Sequence, residues 1–68
     1  MNKYRDAALQ AVTHRLQTTN KIKKIMEEKT GKKINWHFLH KVLTQLEKEG
    51  KVEMVEADRL FLWKLKGK

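Results

Sequence analysis

The spacing of apolar residues changes at Gly50, from a helical repeat before it to an alternating repeat after it. Before Gly50, four apolar residues recur at the spacing i, i+3, i+4, i+7: Leu39, Val42, Leu43 and Leu46. This spacing predicts an amphipathic helix, which Asn35 caps and Gly50 ends. After Gly50, apolar and polar residues alternate, as they do in strands with one buried face. We therefore expect an α+β, mainly helical fold that closes with a two-stranded hairpin.

Two further helical patterns precede the Asn35-capped helix. The first runs from Tyr4 to Gln17 with Asn2 as its N-cap, and its apolar stripe is Leu9, Val12 and Leu16. The second begins at Thr18-Thr19-Asn20, a run of residues suited to capping, and ends at Gly31, the usual residue type for a left-handed helix end. Its apolar face consists of Ile22, Ile25 and Met26. These patterns predict three helices before the hairpin.

The hairpin register is predicted from the side on which its large apolar residues fall. A turn at Ala57-Asp58 pairs Val52 with Trp63 and Met54 with Phe61, which gathers all four on one face of the sheet. A four-residue loop, 56–59, is the alternative turn. Trp63 is expected to pack in the core, and the outer face of the sheet then carries Val55, Leu60 and Leu62.

The chain is short and strongly basic. Its 68 residues include 16 Lys and Arg against 8 Asp and Glu, for a net charge of +8 and a pI near 10.0. We expect residues 1–68 to form a single domain, and the excess positive charge to attract polyanions. The charge is uneven, because residues 20–41 sum to +5 and residues 59–68 to +4, whereas residues 42–58 sum to −3.

Several functional classes lack support in the sequence. There is no Cys, which removes disulfides, thiolate zinc sites and a cysteine nucleophile, and which suits a reducing intracellular compartment. No apolar run is long enough for a membrane span or a secretory signal. His37 and His40 have the i, i+3 spacing of a shared zinc ion, but we interpret them as surface histidines. We expect no enzyme, no metal, no cofactor and no small-molecule site.

The order of helix, short helix, turn, longer helix and hairpin resembles the winged helix-turn-helix family of nucleic-acid-binding domains. The likeness lies in the Thr-initiated second helix, the Asn35-capped third helix, the step Leu46-x-x-x-Gly50-x-Val52 and the pair Trp63-x-Leu65. It covers nearly the whole chain. The resemblance implies a double-stranded DNA-binding protein, and we interpret the chain as a small transcriptional regulator whose control comes from a partner or from its abundance.

The exposed side of the third helix is the expected base-contacting surface. Four polar side chains near its start fall within roughly 100° of arc at 100° per residue: His37, His40, Lys41 and Thr44. A helix with such a side fits a major groove and can donate to and accept from base edges. Backbone phosphates are expected to contact basic residues of the second helix, the turn, the third helix and the hairpin: Lys21, Lys24, Lys32, Lys33, Lys48, Arg59 and Lys64.

Three alternatives accompany this interpretation. A homodimer is one, with a seam made by Tyr4, Ala7 and Ala11 or by the apolar outer face of the hairpin. A protein-interaction winged helix within a larger assembly is the second, because that outer face is not needed for DNA.

The third is the Z-alpha family, which binds left-handed nucleic acid and which Gly50-Lys51-Val52 and Leu62-Trp63-Lys64-Leu65 resemble. Lys41 and Trp63 match that family's basic and Trp positions. His40 and Thr44 stand where it has Asn and Tyr, and its wing prolines are absent.

Overall fold

A computed structural model describes residues 3–67 of the chain. These residues form three helices and three strands in the order α1, β1, α2, α3, β2, β3. The helices are α1 Lys3–Ala11, α2 Thr19–Thr30 and α3 Trp36–Lys48. The strands are β1 Gln17–Thr18, β2 Val52–Ala57 and β3 Leu60–Leu65. The expected N-cap of the first helix, Asn2, lies outside the described residues.

The ends of α2 and α3 agree with the sequence predictions. The Thr18 side chain caps α2 by accepting a hydrogen bond from the backbone N–H of Lys21 at 3.1 Å. Asn35 caps α3 in the same way, accepting from the N–H of Phe38 at 3.0 Å. Gly31 ends α2 with φ of 69°, a left-handed conformation that glycine adopts without steric cost.

Helix α1 is shorter than predicted. It ends at Ala11 rather than Gln17, and Leu16, expected on its apolar stripe, is 47% exposed. After the helix, the Thr13 side chain accepts a hydrogen bond from the Arg15 N–H, and the Thr13 carbonyl accepts one from the N–H of Leu65. Residues 12–18 therefore run beside β3 instead of continuing the helix. Pairing with the sheet gives their backbone groups hydrogen bonds, which the spacing of apolar residues does not predict.

The hairpin turns one residue later than expected, so both predicted turns are wrong. A two-residue turn at Asp58-Arg59 joins β2 to β3, and both residues have positive φ, 50° and 66°. This is the conformation that two-residue hairpins require, and Asp adopts it more readily than Ala does. The register moves by two positions, so Val52 pairs with Leu65 and Met54 with Trp63. A shift of two leaves every side chain on its predicted face.

The sheet also has a strand that the sequence analysis did not predict. Its order is β1-β3-β2, and β1 pairs antiparallel with β3 through Gln17–Trp63 and Thr18–Leu62. Strand β3 is thus central, and the start of α2 follows directly from the sheet. This places the N-terminus of α2 beside the hairpin, a juxtaposition that matters for the site.

The core lies between the three helices and the inner face of the sheet. Its apolar members include Ile22, Met26, Leu39, Leu43, Leu46 and Val52. Trp63 is 1% exposed, as predicted, and its indole N–H donates to the hydroxyl oxygen of Thr19 at 2.8 Å. Because this bond joins β3 to the start of α2, it fixes the hairpin against the helices. Three helices followed by this hairpin constitute a winged helix-turn-helix fold, and we call β2 and β3 with their turn the wing.

Candidate nucleic-acid interface

The solvent side of α3 carries polar and basic side chains. His37, Lys41, Gln45 and Lys48 are exposed and lie opposite the buried Leu39, Leu43 and Leu46. We call these four residues the exposed side of α3. Gln45 was not among the predicted site residues, although its position one turn after Lys41 is a signal that the sequence contains. Its amide donates to Glu49 at 3.3 Å, so it is presented at the surface by an intrahelical bond.

His40 and Thr44 are less exposed to solvent than the prediction that they contact bases implies. Both are half-buried. The His40 ring stacks on Trp36, with ring centres 4.9 Å apart and planes 7° apart, and its other ring contacts are Phe61 and Trp63 of the wing. The structure thus places His40 at the junction of α3 with the wing rather than beside His37.

Thr44 is tied to its own helix. Its hydroxyl donates to the His40 carbonyl at 2.8 Å, which leaves the hydroxyl oxygen able to accept a further bond and the methyl group able to make apolar contacts. Lys41 stays exposed nearby.

An exposed aromatic side chain stands at the other flank of α3. Phe38 is 50% exposed, and Tyr4 of α1 contacts its ring edge-on with centres 4.7 Å apart. Phe38 was not among the predicted base-contacting or backbone-contacting residues. In the sequence, Phe38 is an apolar residue three positions before Lys41 and outside the buried stripe of the helix, and this position predicts its exposure.

The wing tip lies close to the starts of both α2 and α3. A depression of about 150 Å³ is lined by Thr18, Thr19 and Asn20 at the start of α2, by Trp36 at the start of α3 and by Arg59 to Phe61 of the wing. Arg59 is exposed there. The structure therefore brings together one cation, the first turn of α2 and the start of α3, which lie far apart in the sequence.

The predicted backbone-contacting residues are mostly accessible. Lys21 and Lys24 are exposed on α2, Lys32 and Lys33 are exposed in the turn, and Lys48 is exposed near the end of α3. Lys64 is half-buried and pairs in register with Glu53 across the sheet. Lys64 is thus less available to a phosphate than the exposed lysines of the set.

Glu27 holds the turn between α2 and α3. One of its carboxylate oxygens accepts from the backbone N–H of Ile34 at 3.0 Å and from the Lys23 ammonium at 3.0 Å. The hydrogen bond from Ile34, the one from Lys23 and the charges of Lys23 and Lys33 lower the pKa of Glu27 below its ordinary value of 4.5. Glu27 was not predicted as a positioning residue, because its partner Ile34 is seven residues away along the chain.

Most acidic residues lie away from the lysines of α2 and the turn, but close to Lys48, Arg59 and Lys64. Five of them occupy the end of α3 and the wing: Glu47, Glu49, Glu53, Glu56 and Asp58. Glu49 forms an ion pair with Arg5 of α1, which ties the end of α3 to the first helix. Because the charges divide along the chain in this way, a polyanion would orient the molecule with α2 and the start of α3 toward it.

The described residues offer neither a metal site nor a membrane span. Within residues 3–67, no three His, Cys, Asp or Glu side chains are grouped so that they could hold a metal ion. None of the helices described is long and apolar enough to cross a membrane.

Comparison with known proteins supports the fold. No family model matches the chain, and no curated protein does. Solved structures that resemble it include the complex structures of hsRosR-S4 and hsRosR-S1, and RosR is a haloarchaeal winged-helix transcription regulator. The TM-score is 0.85 for both, and sequence identity is 26% and 24%.

The likeness extends over most of this chain but only part of the other. The matches cover 96% of this chain, and 57% and 59% of the two RosR chains. The chain therefore spans less than two thirds of the length of the structures it resembles. Because sequence identity is near one quarter, the comparison supports the winged helix fold. The partner and the site rest on the residues of this chain.

Proposed function

We propose that the chain is a double-stranded DNA-binding protein that acts as a transcriptional regulator. The observation that carries the proposal is the convergence of the start of α2, the start of α3 and Arg59 around one depression, in a chain whose α2, turn and α3 also carry exposed lysines. Similarity to a winged-helix regulator supports the same function. The net charge of +8 supplies the general attraction that such binding needs.

In this proposal α3 enters the major groove. Lys41 donates to guanine O6 and N7, and Gln45 pairs with adenine N6 and N7, because those are the base edges that fit ammonium and amide groups. His37 contacts bases near the start of the helix. Thr44 contributes its hydroxyl oxygen and methyl group from a half-buried position. His40 contacts the DNA from the junction with the wing, through the accessible edge of its imidazole ring.

The backbone contacts hold this helix in register. Lys21, Lys24, Lys32 and Lys33 bind phosphates on one side of α3, and Arg59 binds the flanking strand from the wing tip. Lys48 and Lys64 add weaker contacts, the latter because Glu53 lies opposite it. Backbone N–H groups in the first turn of α2, other than that of Lys21 which Thr18 caps, favour a phosphate at the same place.

A salt titration with selected duplex DNA tests the proposal. Duplexes are first selected from a random pool, and affinity is then measured from 50 to 300 mM salt, where each phosphate contact adds a log–log slope of roughly −0.9. We expect a slope of about −4 to −6, from the six exposed cations assigned to phosphates. A slope near zero, or no selected sequence, would contradict a DNA-reading function. A left-handed duplex of equal length serves as the comparison for the Z-alpha alternative.

The outer face of the wing supports a second candidate function. Val55 and Leu60 are 40% and 49% exposed there, beside the half-buried Leu62. An apolar strip on an otherwise charged domain suits contact with a protein, either a larger assembly or a second copy of the chain. The alternative dimer seam on α1 is less suitable than the sequence suggested, because Ala11 is buried in the chain's own core. Sedimentation with Leu60→Ser would distinguish a dimer from a monomer.

A further inference from the structure

A groove between α1 and the turn after α2 is not used by the proposed DNA contacts of α3 and the wing. Its volume is about 390 Å³, at the lower end of the range for small-molecule sites. Apolar groups of Ala7, Met26 and Ile34 line it, and the aromatic ring of Tyr4 lines one side. Such a surface suits a flat apolar body of one or two rings.

The charged side chains that line the same groove are all positive, while the Glu27 carboxylate accepts a hydrogen bond from the backbone of the lining residue Ile34. Lys3, Lys32 and Lys33 line it, and no carboxylate is among the described residues that do so. Opposite charges close to a ligand favour its anionic form and fix its orientation. The partner that complements three ammonium groups above an apolar floor is therefore an amphipathic anion.

Tyr4 adds a polar group with no partner. Its hydroxyl oxygen is buried and makes no hydrogen bond within the described part of the chain. A buried polar atom without a partner is costly, and a ligand oxygen that accepts its proton would remove that cost. Burial raises the pKa of Tyr4 above its ordinary 10.0, so the hydroxyl keeps its proton at neutral pH.

We propose that this groove binds an aromatic carboxylate of one or two rings, with its ring against Ala7 and the ring of Tyr4 and its carboxylate among the lysines and the Tyr4 hydroxyl. Binding would also weaken DNA binding, a consequence that rests on the proposed function. Lys32 and Lys33 belong both to the groove and to the set assigned to phosphates, so a bound carboxylate competes with the DNA backbone for them.

The test uses 2-naphthoate and its neutral counterpart 2-naphthalenemethanol. Each is titrated into the full chain without DNA, and amide resonances are followed by NMR. We expect 2-naphthoate to shift the resonances of Ala7 and Ile34 with a dissociation constant of about 1 mM, as ordinary efficiency for a ligand of this size gives. Tyr4→Phe should weaken binding about tenfold, and Lys32→Ala with Lys33→Ala about fivefold. The matched control, Lys29→Ala with Lys66→Ala, removes two exposed lysines that do not line the groove.

Three outcomes would overturn the site. They are a lack of saturable shifts, equal binding of 2-naphthalenemethanol, and shifts of the same residues on raising the protein concentration alone, which would mean that a second copy fills the groove.

DNA affinity measured with 5 mM 2-naphthoate at constant ionic strength then tests the coupling. If naphthoate and DNA cannot bind at the same time, the DNA affinity should fall about sixfold for the wild type and much less for Tyr4→Phe. A chain that binds naphthoate but no duplex would refute the proposed function and leave the site standing. A chain that binds duplex but shows no naphthoate shifts would refute the site alone.

Discussion

The two sides of α3 and the wing differ in what they contact. The inner side, with Leu43, Leu46, Val52 and Trp63, is almost fully excluded from water and joins the helices to the sheet. The outer side, with Lys41, Gln45 and Lys48 of α3 and Arg59 of the wing tip, is exposed. One short segment of sequence therefore builds both the core and the proposed DNA-binding surface.

The residues that stabilise the fold are therefore different from those proposed to recognise DNA. Side chains on the inner side lose water contact on folding, so their truncation removes packing and leaves a cavity. Side chains on the exposed side keep their hydration in the free protein, so their truncation changes binding more than folding. The substitutions Trp63→Ala and Lys41→Ala test this separation, and Lys24→Ala and Glu27→Gln test the roles of α2.

Trp63→Ala should destabilise the fold more than any other change considered. The substitution removes a buried aromatic side chain and leaves the Thr19 hydroxyl without its partner, and we expect a loss of about 3–5 kcal/mol in the free energy of unfolding. Urea denaturation followed by circular dichroism measures it. Leu60→Ala, on the outer face of the same strand, is the control and should change stability by less than about 0.5 kcal/mol. Equal losses from both variants would contradict the division into two sides.

Lys41→Ala should reduce sequence preference without reducing stability. Losing a donor to a base edge costs about 1–3 kcal/mol of discrimination against the wrong base, and Gln45→Ala should act similarly at a different base pair. Affinity for selected and scrambled duplexes, measured by fluorescence anisotropy, gives the difference. Lys51→Ala removes an equally exposed charge outside the proposed surface. If Lys41→Ala weakens both duplexes equally, its role is phosphate binding.

Lys24→Ala should weaken binding to all duplexes alike. One lost phosphate contact lowers the log–log salt slope by about 0.9 and leaves the ratio of selected to scrambled affinity unchanged. The salt titration measures both quantities. Lys29→Ala, another exposed lysine of α2, is the matched control. A slope that changes equally in the two variants would show that only total charge matters.

Glu27→Gln should make stability less dependent on acid pH. The folded-state pKa of Glu27 lies below the ordinary 4.5, so its stabilising contribution is complete above 4.5 and disappears as the pH falls through the lowered value. Gln retains an oxygen for the Ile34 N–H but does not titrate. Thermal melting from pH 6 to pH 3 should therefore show a smaller decline for the variant. An identical decline would mean that other carboxylates account for the acid sensitivity.

Much of the fold is predictable because local signals agree with it. The caps Thr18 and Asn35, the left-handed end at Gly31 and the change of repeat at Gly50 each act over a few residues. The site is only partly predictable, since Lys41 and Lys48 follow from helical projection, whereas the placement of His40 depends on rings that arrive from the wing.

The sequence by itself determined the helix order, the faces of the wing strands and the basic character of α2 and the turn, because periodicity, capping and charge are local properties. Tertiary structure alone decided that α1 ends at Ala11, that 17–18 joins the sheet, and that the turn falls at Asp58-Arg59. It also decided that Tyr4 meets the lysines of a distant turn. These features depend on pairing and packing between segments far apart in the chain, for which neighbouring residues carry no signal.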